Sequence, residues 1–487
     1  MSEQKAQNMK QVLEILKKKT DGKRLIRYME EQKVLEVSSR HFFEQVQEEA
    51  LMLEAQGLAG KQVGIIGRNS WRWLVSFCGI FQAGAVAVLL DRELEPKMIE
   101  KLAERVELAA ICFDKSVEEK IEAAELPETV KKILMGKKRK RVREFNPSAE
   151  QKGEDLACIF FTSGTTAESK AVMISQQGLV ASICSEVNDR PFQALLSVLP
   201  FHHLSGFVTA MNAMYLGAEV CLGTDLKYFY RYLERMRPDY VCVVPSMLQL
   251  LARKLKKGGD NGRLLGWNLH MIHCGGATFC PEFLQLFQDR KITVVQGYGA
   301  SEAGGIGFMW EMHPDRPDTI GKPPEEMEIK IVDGELFLHS ASVMMGYYND
   351  TEATSAVLCD GWYATGDLAR QDEEGYLYLT GRKNNRIILS NGENVSPEEI
   401  ETRLYACKEI CEVVVGVENR MITAFVFPEK EGEGIRCRIR GAIEEYNKQV
   451  PLYRQVQDVR FMDKPFAKTT GGKILRRGMT GGKEYDC

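Results

Sequence analysis

Short apolar runs alternate with helical stretches along most of this 487-residue chain, and that alternation constrains the fold more than any single residue does. Residues 62–66 read as a strand, 71–82 as a helix, and 195–199 and 240–244 as strands. Pro245 opens a helix that runs to about Lys256, at a position where the missing proline N–H costs nothing. Residues 271–274 and 292–296 are further strands, with Pro281 starting a short helix between them. Strands separated by helices pair in parallel and need helical cover, so the fold class is α/β with parallel sheets. A chain of this length exceeds one core and predicts two or more domains.

The pattern changes after about residue 325. "MEIKIVDGELFLHS" is a hairpin around Asp333-Gly334, which predicts a barrel-like β part at the end of the large domain. Ser396, Pro397, Glu398 and Glu399 read as a capping box with proline in the first helical turn. A second hairpin joins residues 413–417 to 422–427. Residues 466–477 are Gly-rich and basic and read as an exposed loop. The expected division is a large domain over 1–382 and a small α+β domain over 383–487.

Composition excludes several classes. The chain is 44% hydrophobic and 27% charged with a net charge of −4, so it has no global attraction to nucleic acid. The basic run Lys137, Lys138, Arg139, Lys140, Arg141 and Arg143 lacks interleaved aromatics and reads as a solvated loop. The 13 cysteines include no C-x-x-C pair, and Cys158, Cys221, Cys242 and Cys274 lie inside apolar runs. Reduced thiols in a cytoplasmic core follow, rather than a disulfide or zinc framework. Residues 1–19 are polar and charged, unlike a signal peptide. Residues 73–90 carry no charge, but Ser76, Gln82 and a break at Gly84 favour a buried helix followed by a strand over a transmembrane span.

Candidate chemistry sits in loops between these elements. "FTSGTTAESKAVMIS" (161–175) places Thr162, Ser163, Gly164, Thr165, Thr166 and Lys170 between two apolar strands. Small residues, hydroxyls, N–H groups and one ammonium suit a phosphate; an ordinary Ser/Thr-rich turn is the alternative. "CGGAT" (274–278) and "QGYGASEAGG" (296–305) follow strands, where ligands bind in parallel sheets. In the second, Tyr298 can lay its ring on a flat base, while Ser301 and Glu302 can meet a phosphate and its cation. "GWYATGDLAR" (361–370) holds Asp367, a carboxylate able to accept from two vicinal hydroxyls. "GRKNNR" (381–386) is a polar break, and "KTTGGKILRR" (468–477) presents Lys473. Neither the Walker A nor the G-x-G-x-x-G pattern is present.

The order and spacing of these stretches resemble the adenylate-forming superfamily, which includes acyl- and aryl-CoA synthetases, adenylation domains of nonribosomal peptide synthetases and beetle luciferases. "FTSGTTAESKAVMIS" is similar to its TSGTTG-x-P-K-G signature, "YGASEAGG" to YG-x-TE, and "GWYATGDLA" to GW-x-x-TGD. "GRKNNRIILSNGENVSPEEIE" resembles its domain-linking motif and "KTTGGKILRR" its terminal one. The resemblance implies an AMP-forming acid–thiol ligase using ATP, Mg²⁺ and CoA, in which a carboxylate is converted to an acyl-adenylate and then to a thioester. It implies that loop 162–170 grips the β- and γ-phosphates, that Gly275, Gly276 and Ala277 line one side of the adenine, and that Tyr298 and Gly299 line the other. Ser301 then contacts phosphate, Glu302 helps hold Mg²⁺, and Asp367 binds ribose with Arg382 beside it. Lys473 serves adenylation, the small domain pivots near Asn384, and the face including Ser390, Gly392 and Glu393 meets the thiol arm. The chain departs from the pattern at Ala167, Ser169, Ala171 and Ala467, which stand where the family prefers Gly, Pro, Gly and Pro.

The specificity stretch "LLSVLPFHHLSGFVTAMNAMYLGAEVCL" places Pro200, Phe201, His202 and His203 where amino-acid adenylation domains usually carry an acid. His203 aligns with a histidine beside the carboxylate pocket; packing in the core or capping a helix is the alternative. Phe207, Val208, Met211 and Met214 favour a hydrophobic acid, with a fatty acid first and an aryl acid next. The acceptor thiol is expected to be CoA, with an acyl carrier protein as the alternative partner. A nucleotide- or acyl-binding protein with weakened catalysis is the reading from outside the ligases.

Overall fold

The computed structural model describes residues 6–137, 151–162, 169–185, 191–256, 265–275, 281–305, 308–312, 316, 319–388, 394–419, 421–468, 474 and 476. Two mostly parallel sheets form the large domain. The first runs in the order Gly346–Tyr347, Ala171–Ser175, Leu156–Phe161, Val86–Leu90, Gln62–Ile66, Ala110–Phe113, Lys131–Leu134. Its last five strands are parallel, whereas Ala171–Ser175 folds back antiparallel on Leu156–Phe161. The second runs Phe308–Glu311, Thr293–Tyr298, Met271–Gly275, Tyr240–Val243, Ala194–Ser197, Glu219–Leu222, Arg24–Glu30, Lys33–Ser38.

The two sheets face each other across helices Trp71–Gln82 and Leu204–Tyr215, and one apolar core joins Leu89 and Phe160, Phe77 and Phe207, and Leu195 and Met271. Phe77 and Phe207 sit with ring centroids 4.7 Å apart, which locks one helix against the other. The uncharged 73–90 stretch is thus interior: the helix ends at Gln82, Gly84 turns the chain at φ +72°, and Val86–Leu90 is fully buried. No helix of the described residues is long and apolar enough to cross a membrane. No disulfide joins the cysteines of the described residues. The strand expected at 195–199 is Ala194–Ser197 instead, because the Leu199 carbonyl accepts from Asn69 Nδ2 at 2.7 Å and leaves the ladder.

The barrel-like part is a six-stranded sheet with antiparallel pairings, in which Trp362–Gln371 lies between Glu335–His339 and Leu377–Arg382. The small α+β domain packs Ile410–Glu418, Met421–Pro428 and Asp458–Phe461 against helices Pro397–Leu404 and Glu433–Lys448, with its own core of Ile400, Val413, Val415, Ala424, Val426 and Ile439.

Two local expectations are corrected here. Helix 397–404 does start after Ser396, yet no capping-box bond forms, since the Ser396 hydroxyl donates to Glu398 at 3.1 Å and Glu399 pairs with Arg454 at 3.3 Å. Of the loop expected at 466–477 only 466–468, 474 and 476 are described, and these are tied down: Phe466 is buried, Lys468 pairs with Glu412 at 2.5 Å, and Arg476 pairs with Glu401 at 2.5 Å. The basic run beyond Lys137 lies outside the described residues.

Candidate active site

Strand Thr293–Tyr298 and strand Trp362–Gln371 come from different sheets, and the end of the first meets a carboxylate in the middle of the second. Asp367 is buried, and the Tyr298 hydroxyl donates to its Oδ2 at 2.7 Å. Arg382, its cross-strand partner, brings Nε to 2.8 Å from Oδ1. Burial raises the Tyr298 hydroxyl well above the ordinary phenol range, with the Asp367 charge adding to it, so the phenol stays a donor. The Thr365 hydroxyl accepts from the Asp367 N–H at 3.0 Å and donates to the Leu336 carbonyl at 2.8 Å, which fixes the irregular stretch of strand before the carboxylate. Glu335 braces the same stretch, accepting from the Gly366 N–H at 3.1 Å and pairing with Lys383 at 2.7 Å. Arg382 is exposed and Asp367 is not, so the pair presents its cationic side outwards.

A second cluster forms one turn further on. Gly304 adopts φ +86°, where a Cβ would meet Ser342 at 2.6 Å, and this closes the tight 3₁₀ turn Ser301–Ala303. The Glu302 carbonyl accepts from the Met344 N–H at 2.8 Å, and its carboxylate accepts from the Tyr347 hydroxyl at 3.1 Å. Lys170 Nζ lies 4.6 Å from the centroid of the same Tyr347 ring. Tyr347 reaches this place because Gly346–Tyr347 adds to the edge of strand Ala171–Ser175. Thr162 N–H donates to the Lys170 carbonyl at 3.0 Å, and Arg105 donates to the Ser169 carbonyl at 2.7 Å, so the neck of the 162–170 loop is closed. One cation, one carboxylate and a hydroxyl between them stand at the mouth of that loop.

His203 precedes helix Leu204–Tyr215, and its side chain makes no cap hydrogen bond to it. His202 is packed against His203, with ring centroids 4.2 Å apart, and its Nε2 lies 3.4 Å from Asp91. Burial, with His203 beside it, lowers His202 to about 4 despite Asp91, so that ring is neutral. Asn384 lies exposed in the 3₁₀ turn Lys383–Asn385, and Asn385 Nδ2 donates to Glu398 at 2.6 Å.

Comparison with known proteins decides the family. The AMP-binding enzyme model matches residues 17–348, and the model for the C-terminal domain of AMP-binding enzymes matches 384–481. The chain belongs to the AMP-binding, adenylate-forming enzymes. It is 29% identical over 364 residues to peroxisomal OPC-8:0-CoA ligase 1 of Arabidopsis thaliana (67% of this chain, 64% of that protein). It is 30% identical over 362 residues to a long-chain-fatty-acid–CoA ligase of Bacillus subtilis (66% and 61%). It thus spans less than two thirds of either relative's length. A 2-succinylbenzoate–CoA ligase of Listeria monocytogenes matches at 27% over 437 residues, 85% of this chain and 88% of that one. Among solved structures, an O-succinylbenzoate coenzyme A synthetase of Bacillus subtilis in complex with AMP superposes with TM-score 0.81 at 22% identity, over 96% of this chain and 97% of that one. An anthranilate CoA ligase in complex with anthranoyl-AMP gives 0.83 at 20% identity, over 96% and 95%. At such identities these structures speak to the fold.

In this AMP-binding enzyme, then, the sequence-predicted residues Tyr298, Asp367 and Arg382 meet in one corner, and Lys170 and Glu302 meet through Tyr347. Gly275 ends its strand, Gly299 is exposed just past Tyr298, Ser301 opens the 3₁₀ turn, and Thr162 and His203 stand at their loop and helix boundaries. Ser163, Gly164, Thr165, Thr166, Gly276, Ala277, Ser390, Gly392, Glu393 and Lys473 lie outside the described residues. Tyr347 and Glu335 were missed. Glu335 follows the Asp333-Gly334 turn and carries no signal of its own, and Tyr347 carries only the signal of an aromatic after Gly346.

Proposed function

We propose that this enzyme activates a hydrophobic carboxylic acid with ATP, forming an acyl-adenylate and pyrophosphate, and passes the acyl group to the thiol of CoA. The observation that carries this reading is Asp367, buried with one oxygen engaged by Tyr298 and the other by Arg382 where two sheets converge. A buried carboxylate so placed can exchange these partners for the two hydroxyls of a ribose, and the Tyr298 ring then flanks the base. Glu302 offers a single carboxylate beside the phosphate loop. Mg²⁺ suits one or two carboxylates plus substrate phosphates better than an all-protein cage, and no cluster of three His, Cys, Asp or Glu occurs among the described residues. When bound, the ion would neutralise polyphosphate charge, while Lys170 and the 162–170 loop hold the phosphates in place.

Lys473 is proposed to approach the α-phosphate in the first half-reaction, carried by a small domain spanning 383–487 that pivots about Asn384. Ser390, Gly392 and Glu393 are proposed to meet the thiol arm after the pivot, and His203 to border the carboxylate. A fatty acid is the favoured substrate, supported by relatives whose names include long-chain fatty acid; Phe207, Val208, Met211 and Met214, read in the sequence as favouring it, are packed in the core. A cytoplasmic setting is in keeping with the unpaired thiols of the core. ATP–pyrophosphate exchange across a panel of acids tests the first step. Thioester formation with CoA or with an acyl carrier protein then identifies the acceptor. Absence of exchange with every acid would leave a nucleotide- or acyl-binding protein instead. Lys473→Ala is expected to abolish exchange and spare thioester formation from supplied acyl-adenylate.

A further inference from the structure

One polar group on the inner face of the eight-stranded sheet takes no part in the chemistry above. Alternation sends Val241, Ile272, Cys274 and Val294 to the outer face, where they pack with Leu248 and Phe287. Tyr240, Cys242, Met271 and Val295 go to the inner face, in the core shared with Phe207 and Met211 of helix 204–215. By the same period of two, His273 points inwards, towards that helix. Its Nδ1 lies 3.6 Å from the Cys242 sulfur. Its Nε2 is buried and has no hydrogen-bond partner among the described residues.

That nitrogen leans towards the carboxyl end of the neighbouring strand, since a Cβ built on Gly297 would stand 2.1 Å from it. Gly297 immediately precedes Tyr298, so glycine at this position lets the imidazole reach the edge where the nucleotide corner begins. Burial lowers His273 to about 4 and raises the Cys242 thiol to about 12, so both groups are neutral at ordinary pH. A neutral imidazole offers one N–H and one lone pair, and Nε2 presents whichever Nδ1 does not use towards the thiol. Left without a partner when a ligand covers it, such a nitrogen weakens binding.

We propose that His273 Nε2 is a specificity-determining contact for the acyl chain, and that the acid carries an uncharged oxygen function, a hydroxyl or a keto group, where it passes Gly297. This rests on the acid-activating reading of the cleft. A hydroxyl both donates and accepts and so matches either tautomer, whereas a keto oxygen matches only the N–H form. A plain hydrocarbon leaves the nitrogen unpartnered. A charged substituent would need a counter-charge that Tyr240, Cys242 and the surrounding apolar side chains do not supply.

The test compares plain, hydroxylated and keto acids of one chain length, with the oxygen moved along the chain, in ATP–pyrophosphate exchange by the wild type and His273→Leu. The wild type is expected to favour one oxygenated acid by about tenfold or more in kcat/KM, the worth of one hydrogen bond made in a buried site. His273→Leu should reduce that ratio to about threefold or less while keeping the rate on the plain acid, and His273→Gln should restore part of it. A ratio near one at every position in the wild type overturns the proposal, as does an equal loss on all acids in His273→Leu. If no acid supports exchange, the acid-activating reading fails, and the rise in Tm caused by each acid decides the inference separately. Oxygenated acids that protect the wild type more than His273→Leu uphold it, and equal protection overturns it.

Discussion

The two parallel sheets are built alike and face one another, but they turn different chemistry towards the space between them. The inner side of the seven-stranded sheet, from Val63 and Ile65 through Ala87 and Leu89 to Phe160, is apolar and fully packed. The inner side of the eight-stranded sheet interrupts its apolar packing with Tyr240, Cys242 and His273, and its next strand drops to glycine at 297. The first sheet carries the neck of the 162–170 loop, whereas the second, on the proposal above, reads the acid. Residues of the same burial are therefore expected to differ in consequence: on one sheet a change alters stability alone, and on the other it alters which molecule fits as well.

Breaking the packed sheet should have the largest effect. Phe160 is 1% exposed, and Phe160→Ala is expected to destabilise the large domain by about 3–5 kcal/mol, measured by urea unfolding. The preference among acids in the surviving folded fraction should not change. A shift in preference there would erase the distinction between the sheets. Next in size is Asp367→Asn, which keeps the shape but removes the charge shared by Tyr298 and Arg382. It should lower kcat/KM for ATP by roughly 10- to 100-fold with little change in selectivity between acids. Gly297→Ala follows: its methyl would collide with His273 Nε2, costing about 1–3 kcal/mol of overpacking. The double change Gly297→Ala with His273→Ala should recover most of that stability, because the colliding ring is gone. Failure to recover would place the strain elsewhere on the strand.

How far the sequence revealed this arrangement depended on distance along the chain. Helix 71–82 and strand 62–66 were legible to the residue, because a glycine break and uninterrupted apolar runs are local signals. Asp367 and Tyr298 were each legible as chemistry-bearing residues, but their 2.7 Å bond was not, since 69 residues and a change of sheet separate them. Tyr347 was overlooked for the same reason, as its role comes from a two-residue strand docking on an edge laid down far earlier in the chain. Arg476 departed from expectation because basic residues usually mark solvated loops, while here it finds a carboxylate contributed by helix 397–404. His273 gave no sign at all: inside "MIHCGG" it reads as one polar residue in an apolar strand, and only the pairing of the strands places it above a glycine.

The smallest effect in any one step of conditions is also the most direct measure of how closed the second sheet is. His273 titrates near 6.5 when unfolded and is lowered to about 4 by burial, so the folded chain refuses a proton that the unfolded chain accepts. Its contribution to stability is therefore complete above about pH 6.5 and is lost as the pH falls towards 4, at up to about 1.4 kcal/mol per unit. His202 shifts in the same direction, with Asp91 at 3.4 Å opposing the shift. Urea unfolding at a series of pH values should show stability declining through this window, and His273→Leu should make the decline shallower without moving its upper limit. An unchanged slope would mean that the imidazole takes up its proton while still folded. The inner face of the eight-stranded sheet would then be open to water, and the contrast with its apolar counterpart would be one of composition rather than of access.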